Sequence, residues 1–405
     1  MKTLIKKFSI LTFLFYSLLF ITESSYSITD TLNANKDNTL YENDFGLLSN
    51  GKGQYMFAGT TAGVQIRRGI ISFGVNDFIP PGAVITDVKL VMHMSKTISL
   101  SKRVKLYRVT KNWGEGNSDA FGEEGGGAAA DSSDATWIHN FYNTDNWSSP
   151  GGDYSAVESG QANVYAMGFY TWTDPQMIAD VQNWVNNVSS DYGWIMIGDE
   201  SELATAKRFD TKENPNPSVR PKLIVTYTFN NVALKMKALT EGLVGIGSIV
   251  PDTFKVYLRN SFSPYSVVDS TKSYNNYDSW YVFNNAAPGL YYIEVNHRNS
   301  INTWSKLPQN FSSGLPYKNY NFTSAASQAY GNNLVLRDTY YCFYSGDINK
   351  DNNINLTDVL LVYNAASIFQ TGYVVTDVTG NNIVDLTDLI ITYNNATKFI
   401  IEQRP

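Results

Sequence analysis

Two stretches near the C-terminus share one register: "DINKDNNINLTD" from Asp347, and "DVTGNNIVDLTD" thirty residues later from Asp377. This duplication limits the local fold more tightly than any other segment of the chain. A hard divalent cation takes about six to eight oxygens, and a loop of about twelve residues supplies them from positions 1, 3, 5, 7, 9 and 12, position 7 through its carbonyl. In the first loop those positions hold Asp347, Asn349, Asp351, the Asn353 carbonyl, Asn355 and Asp358. In the second they hold Asp377, Thr379, Asn381, the Ile383 carbonyl, Asp385 and Asp388. Asn352 and Asn382 stand where the loop must turn sharply. Asparagine is among the few residues besides glycine that tolerate a left-handed backbone. Ile354 and Val384 supply the apolar pin of each loop.

The alternative is a pair of Asx-rich turns that cap helices and hold no metal. The repeated register, closed both times by Leu-Thr-Asp, favours two Ca²⁺ ions. The first loop is the stronger ligand set, because positions 3 and 5 of the second carry no charge. A helix is expected after each loop. Leu356, Val359, Leu360 and Tyr363 form one stripe, and Leu386, Leu389, Ile390 and Tyr393 its copy. Neither helix can bury its stripe alone, so the two stripes are expected to cover each other.

This loop–helix duplication, with Asp at position 12 and no helix before the loop, resembles the type I dockerin family over about sixty residues. The resemblance implies two Ca²⁺ ions needed for folding, a docking surface on the helices, and a cohesin as partner. Positions 10 and 11 depart from the family's small polar pair, being Leu356–Thr357 and Leu386–Thr387. That departure leaves open a different surface protein as partner, or packing of the tail on the preceding sandwich.

The 405 residues are 43% apolar and only 17% charged, enough for two to three domains. Lys2, Lys6 and Lys7 precede the apolar run Phe8 to Ile21, and "SYS" at 25–27 offers small residues for cleavage after Ser27. The run is short for a membrane span, and no later segment is long and apolar enough. The mature chain is then more acidic than the formal charge of −6, which argues against general nucleic-acid binding. A single cysteine, Cys342, excludes an internal disulfide framework. The expected organisation is a leader at 1–27, β-sandwiches at 28–230 and 231–340, and a calcium-binding tail at 341–405. The expected setting is extracellular or cell-surface and bacterial.

Residues 28–230 read as short strands. In "AVITDVKLVMHM", Val84, Thr86, Val88, Leu90, Met92 and Met94 share one face, with Asp87, Lys89 and His93 opposite. "RVKLYRV" alternates likewise, with Arg103, Lys105 and Tyr107 outward. "PQMIADVQNWVNN" is the one helical pattern, through Met177, Ile178, Val181, Trp184 and Val185. Many strands and one helix point to a jelly-roll-like sandwich. The middle region alternates in "TFKVYLRN" and "GLYYIEVNHRN", which suggests an immunoglobulin-like or prealbumin-like sandwich.

"DNTLYEN" (37–43), "RRGIISFGVNDFIPPGAVITDVKLVMHM", "VKLYRVTKNWGEG", "FYTWTDPQMIADVQNWVNN" and "KRFDTKENPNPSVRPKLIVTY" together resemble the DNRLRE domain family. The resemblance implies a secreted β-sandwich, similar in some members to carbohydrate-binding modules. A short link between the two alternating strands suggests a hairpin whose outward face joins Lys89 and His93 to Arg103, Lys105 and Tyr107. Arg and Lys suit the carboxylates or sulfates of an acidic polysaccharide, and Tyr107 or Trp113 offers a stacking ring. The opposing reading is a solvated strand face.

Three scattered histidines, His93, His139 and His297, match no catalytic motif. The expectation is therefore a secreted, mainly β, non-catalytic protein that binds polysaccharide and docks through a calcium-stabilised tail. The alternatives are a structural surface or matrix protein, and a polysaccharide lyase or hydrolase.

Overall fold

The structure, a computed structural model, describes residues 27–245, 248–311 and 317–405. The expected leader lies outside them except for Ser27, which opens the first strand. The described residues are mainly β, with several sheets and three α-helices.

The first unit is a two-sheet sandwich. One sheet orders strands Ser27–Asn33, Lys222–Thr228, Val84–Thr97, Lys207–Asp210 and Tyr55–Thr60, and Gly168–Trp172 also pairs with Val84–Thr97. The other orders Lys36–Tyr41, Ile66–Ser72, Trp194–Ile197, Lys102–Val109 and Tyr154–Val164. Between them lie Met56, Ile71, Val88, Leu90, Met92, Val104, Leu106, Trp172, Trp194 and Phe209. The helix α1, Pro175–Asn186, closes this core with Met177, Val181, Trp184 and Val185. Asp174 caps it by accepting from the Gln176 N–H, with Pro175 at the first helical position. Trp172 donates its indole N–H to the Val104 carbonyl at 2.9 Å and Trp194 to Asp180 at 3.0 Å, so neither buried ring leaves an unpaired donor.

The long strand Val84–Thr97 departs from strict alternation. A bulge at Thr86 turns Ile85 inward and leaves Val84 and Thr86 exposed. The following strand does not return as a hairpin. Strand Val84–Thr97 pairs with 222–228, 207–210 and 168–172, whereas 102–109 pairs with 194–197 and 154–164. Residues 98–101 carry the chain across to the facing sheet. Lys207, fully buried, holds that crossing: its ammonium donates to Thr97 Oγ1 and to the carbonyls of Ser99 and Leu100. Leu90 and Met92 therefore face Val104 and Leu106 across the core.

A second, smaller core lies on the outer side of the sheet that carries Lys102–Val109. Leu40, Ile70, Val109 and Ile195 are covered there by Trp113, Trp137 and Trp147 from the 110–153 segment. "EEGGGAAADSSD" is less free than its composition suggests. Glu124 accepts from Asn50 Nδ2 and from the Gln54 and Tyr55 N–H groups, and Ala128–Ala129 pairs with Leu48–Ser49.

The middle unit packs the sheet Asp278–Phe283, Val232–Lys237, Tyr317–Asn321 against Asp252–Asn260, Val267–Asn275 and Gly289–Asn296. Its core includes Leu234, Phe254, Val256, Tyr281, Ile293 and Phe343, so it runs past the expected boundary at 340. Trp280 donates to the Asn76 carbonyl at 2.9 Å, which joins this unit to the first sandwich. No helix among the described residues is long and apolar enough to cross a membrane.

Candidate functional site

The tail's two loops fold around their closing aspartates. Asp358 accepts the N–H groups of Ile348 (2.8 Å), Asn349 (3.2 Å) and Asn355 (3.0 Å). Asp388 repeats this with Val378 (2.8 Å), Thr379 (2.8 Å) and Asp385 (2.9 Å). Asn355 and Asp385 cap helices α2, Leu356–Ala366, and α3, Leu386–Ala396, in reciprocal capping boxes with those aspartates. Asn352 and Asn382 adopt the left-handed backbone expected of them, at φ 66° and 68°. Asn349 accepts from the Asp351 N–H and Asp351 from the Asn353 N–H, both at 3.0 Å. Asn381 accepts from the Ile383 N–H at 2.9 Å. The Asn353 carbonyl accepts from Asn355 Nδ2 at 3.1 Å.

The first loop contains an unsatisfied acid. Asp347 is fully buried, and neither carboxylate oxygen has a hydrogen-bond partner. Burial raises its carboxyl above the usual range. Lys350 lies 3.6 Å away, beyond hydrogen-bond reach, and donates to the Ser300 carbonyl. That one long ion pair does not offset burial, and a bound cation would remove the remaining penalty. The all-oxygen donor set of Asp347, Asn349, Asp351, the Asn353 carbonyl, Asn355 and Asp358 fits Ca²⁺. In the second loop, Asp377 already accepts from the Gly380 N–H (2.8 Å) and the Asn382 N–H (3.0 Å). Thr379 Oγ1 lies 3.4 Å from the same carboxylate. Carboxylate lone pairs remain for a cation, so Asp377, Thr379, Asn381, the Ile383 carbonyl, Asp385 and Asp388 also fit.

The two apolar stripes do not cover each other, contrary to the sequence expectation. The tail core is instead Val362, Ala365 and Ile391 with Ile348, Val378 and Val384 from the loops. Asp358 and Asp388 must face their own loops, and that fixes each helix's rotation about its axis. The two stripes then turn outward. Leu356, Leu360, Tyr363, Leu386, Ile390 and Tyr393 are all between 48% and 77% exposed. With Val359 and Leu389 they line an open apolar groove of about 440 Å³. Contiguous exposed apolar surface of this kind is uncommon on a monomeric protein.

The other side of the tail meets the middle sandwich through a polar seam. Asn395 donates to the Ser345 carbonyl (2.9 Å) and Glu241 (2.6 Å), and Asn299 donates to the Asp377 carbonyl (3.0 Å). Asp252 accepts from His297 (3.0 Å), Arg298 (2.8 Å) and Tyr373 (2.5 Å). Burial alone would raise the Asp252 carboxyl. The three donors outweigh burial and hold it well below its ordinary value. The tail thus packs on the preceding sandwich and still leaves its groove open.

The expected glycan surface on the first sandwich does not assemble. Lys89 and His93 lie on one sheet and Arg103, Lys105 and Tyr107 on the other, so their outward faces point to opposite sides. Lys89 pairs with Asp87 at 2.7 Å, Lys105 with Glu158 at 2.9 Å, and His93 with Asp210 at 2.6 Å. Arg103 is exposed. Tyr107 is half-buried beside the second core, and Trp113 is wholly inside it, donating to the Tyr192 carbonyl at 2.9 Å. Trp113 offers no stacking face, and Tyr107 already packs against Tyr154, with ring centroids 5.4 Å apart. A tryptophan in a Gly- and Asn-rich loop reads as surface, because the sheet face it covers is distant in sequence.

No family model matches the chain, and no curated protein matches it. Among solved structures, two type II cohesin–X-dockerin complexes from Acetivibrio cellulolyticus are similar. One is a C-terminal interface mutant, 14% identical at a TM-score of 0.27, with 40% of this chain and 94% of that chain covered. The other is an N-terminal interface mutant, 15% identical at a TM-score of 0.25, with 43% and 96% covered.

Proposed function

We propose that this is a secreted, non-catalytic protein that docks to a partner protein through the groove between α2 and α3. Ca²⁺ in the two loops sets the groove's shape, and the N-terminal sandwich binds polysaccharide. The observation that carries the docking reading is the groove lined by the two repeated stripes: six large apolar side chains stay exposed although the tail has a complete core beneath them. A surface protein of cohesin type is the partner the loop–helix resemblance implies. Bound Ca²⁺ would supply the charge that Asp347, Asp351 and Asp358 need in order to lie together. The protein's own residues do the rest: Asp358 and Asp388 tie each loop to its helix, and the stripes meet the partner.

A non-catalytic role is supported by the engagement of all three histidines with structural partners, Asp210, Thr136 and Asp252. Burial pushes the Cys342 thiol up to about 12, which leaves it un-ionised at neutral pH. The test is titration of the intact protein with an isolated cohesin module, in calcium and in chelator. Saturable binding in calcium that disappears in chelator supports the reading. Absence of binding in both, together with a monomeric protein in calcium, sinks it for this partner class. A glycan array with the intact protein tests the polysaccharide role.

A further inference from the structure

Lys96 and Arg208 are direct cross-strand neighbours on one face of the first sandwich. Both grip a single oxygen, Glu123 Oε2, at 2.7 Å each. The Arg208 side chain is only 12% exposed, and its fork is fixed in place. Its guanidinium lies 3.7 Å over the centroid of the Tyr55 ring, and Nε donates to Ser95 Oγ at 3.1 Å. Two cations aimed at one oxygen make a preformed carboxylate site.

The carboxylate that fills it is poorly held. The Glu123 side chain is 71% exposed and sits between Gly122 and the run Gly125–Gly127. The loop is not anchored by Glu123 but by the next residue, whose buried carboxylate accepts from Asn50, Gln54 and Tyr55. An exposed ion pair of this kind contributes little to stability. Glu123 can therefore swing away without unfolding the segment.

Beside the two cations opens a cleft of about 190 Å³. Its walls include Phe57, Ala62, Ile98 and Ala206. Buried Arg67 lies at its inner edge, stacked on Tyr41 and donating to the Gly125 and Ile66 carbonyls. The cleft accepts one ring with an apolar face and an anionic edge, which describes a uronate sugar.

We infer that the Lys96–Arg208 cleft binds a uronate residue of an acidic polysaccharide, with Glu123 holding the place of the sugar carboxylate until ligand displaces it. The inference rests on the proposed polysaccharide role of this sandwich. It moves the binding surface away from Lys89 and Lys105, whose charges are already paired.

Isothermal titration of the intact protein with tetragalacturonate tests it, alongside the methyl-esterified tetramer and the galacturonate monomer. Glu123→Gln removes the competing charge and is expected to tighten tetragalacturonate binding several-fold. Lys96→Gln, at a half-exposed position, is expected to weaken it about tenfold, as loss of a charge-assisted contact does. The esterified tetramer is expected to bind weakly to all forms. Binding of the monomer as tight as that of the tetramer would assign the site to free carboxylates and overturn the polysaccharide assignment. Equal affinity of wild type and Glu123→Gln, or of the acidic and esterified tetramers, overturns the inference. Glycans that bind elsewhere, unaffected by these changes, overturn it while sparing the wider reading. Failure of every glycan on an array removes both.

Discussion

Replacing Asp347 by Asn should change stability in opposite directions with and without calcium. In chelator, the substitution removes a buried charge that has no hydrogen-bond partner. Burial disfavours this charge more than Lys350 favours it, and Asn carries none, so the variant should be more stable by on the order of 1–2 kcal/mol. One kcal/mol moves a midpoint by about 2–4 °C in a unit of this size, which makes the expected rise on the order of 5 °C. In calcium the sign reverses. A site held at about a hundredfold excess over its Kd stabilises by about 2.7 kcal/mol, and Asn at position 1 forfeits most of it. Scanning calorimetry of wild type and Asp347→Asn in chelator and in millimolar calcium reads all four midpoints. If the variant is stabilised equally in both conditions, Asp347 is simply a poorly placed acid. If wild type melts identically in both, the loops hold no ion that matters to the fold.

Leu360→Glu combined with Ile390→Glu should abolish docking to a cohesin-type partner while shifting the melting midpoint by no more than about a degree or two, since both residues are about half-exposed. Trp113→Ala should cost the first sandwich about 3–5 kcal/mol in denaturant melts and leave tetragalacturonate affinity unchanged, because the ring is core. Burial lowers the His297 imidazole more than Asp252 raises it, so the fold favours the neutral ring. That contribution is complete above about pH 6.5 and is lost as pH falls from there toward the depressed folded value, at up to about 1.4 kcal/mol per pH unit. Melts between about pH 7.5 and 5 should show the slope, and His297→Gln should flatten it.

Local chemistry is readable in the sequence wherever one short segment contains both partners. The loop turns at Asn352 and Asn382, the capping residues, and the buried face of α1 all follow from spacing within a dozen residues. What depends on distant partners is not readable. The crossing at 98–101 is held by Lys207, about a hundred residues away, and nothing in the local pattern separates it from a hairpin turn. Tyr107 packs at the edge of a cluster that Trp137 and Trp147 join from a segment with no periodicity. The outward rotation of the two apolar stripes is hidden for a different reason. Each helix is apolar on two sides, and only the demand that Asp358 and Asp388 face their loops decides which side is core.

The polar seam explains why an apolar groove can be useful here. A docking element on a flexible tether must be ordered when it binds, and that ordering subtracts from affinity. This tail is instead fixed at several points: Asn395 and Asn299 on backbone carbonyls, Tyr373 on Asp252, Arg298 on the Val374 carbonyl, and Trp304 on Glu402 at 2.7 Å. The seam is made largely of directional bonds to side chains and carbonyls, so it sets orientation as well as contact. The groove is therefore presented at a fixed angle to the middle sandwich. On the proposed docking role, a partner would meet a groove held in one orientation, so that the tail and the middle sandwich would act as one body. Loosening the seam with Asp252→Asn should accordingly weaken docking even though Asp252 lies outside the groove, a loss that titration with the cohesin module in calcium would read directly.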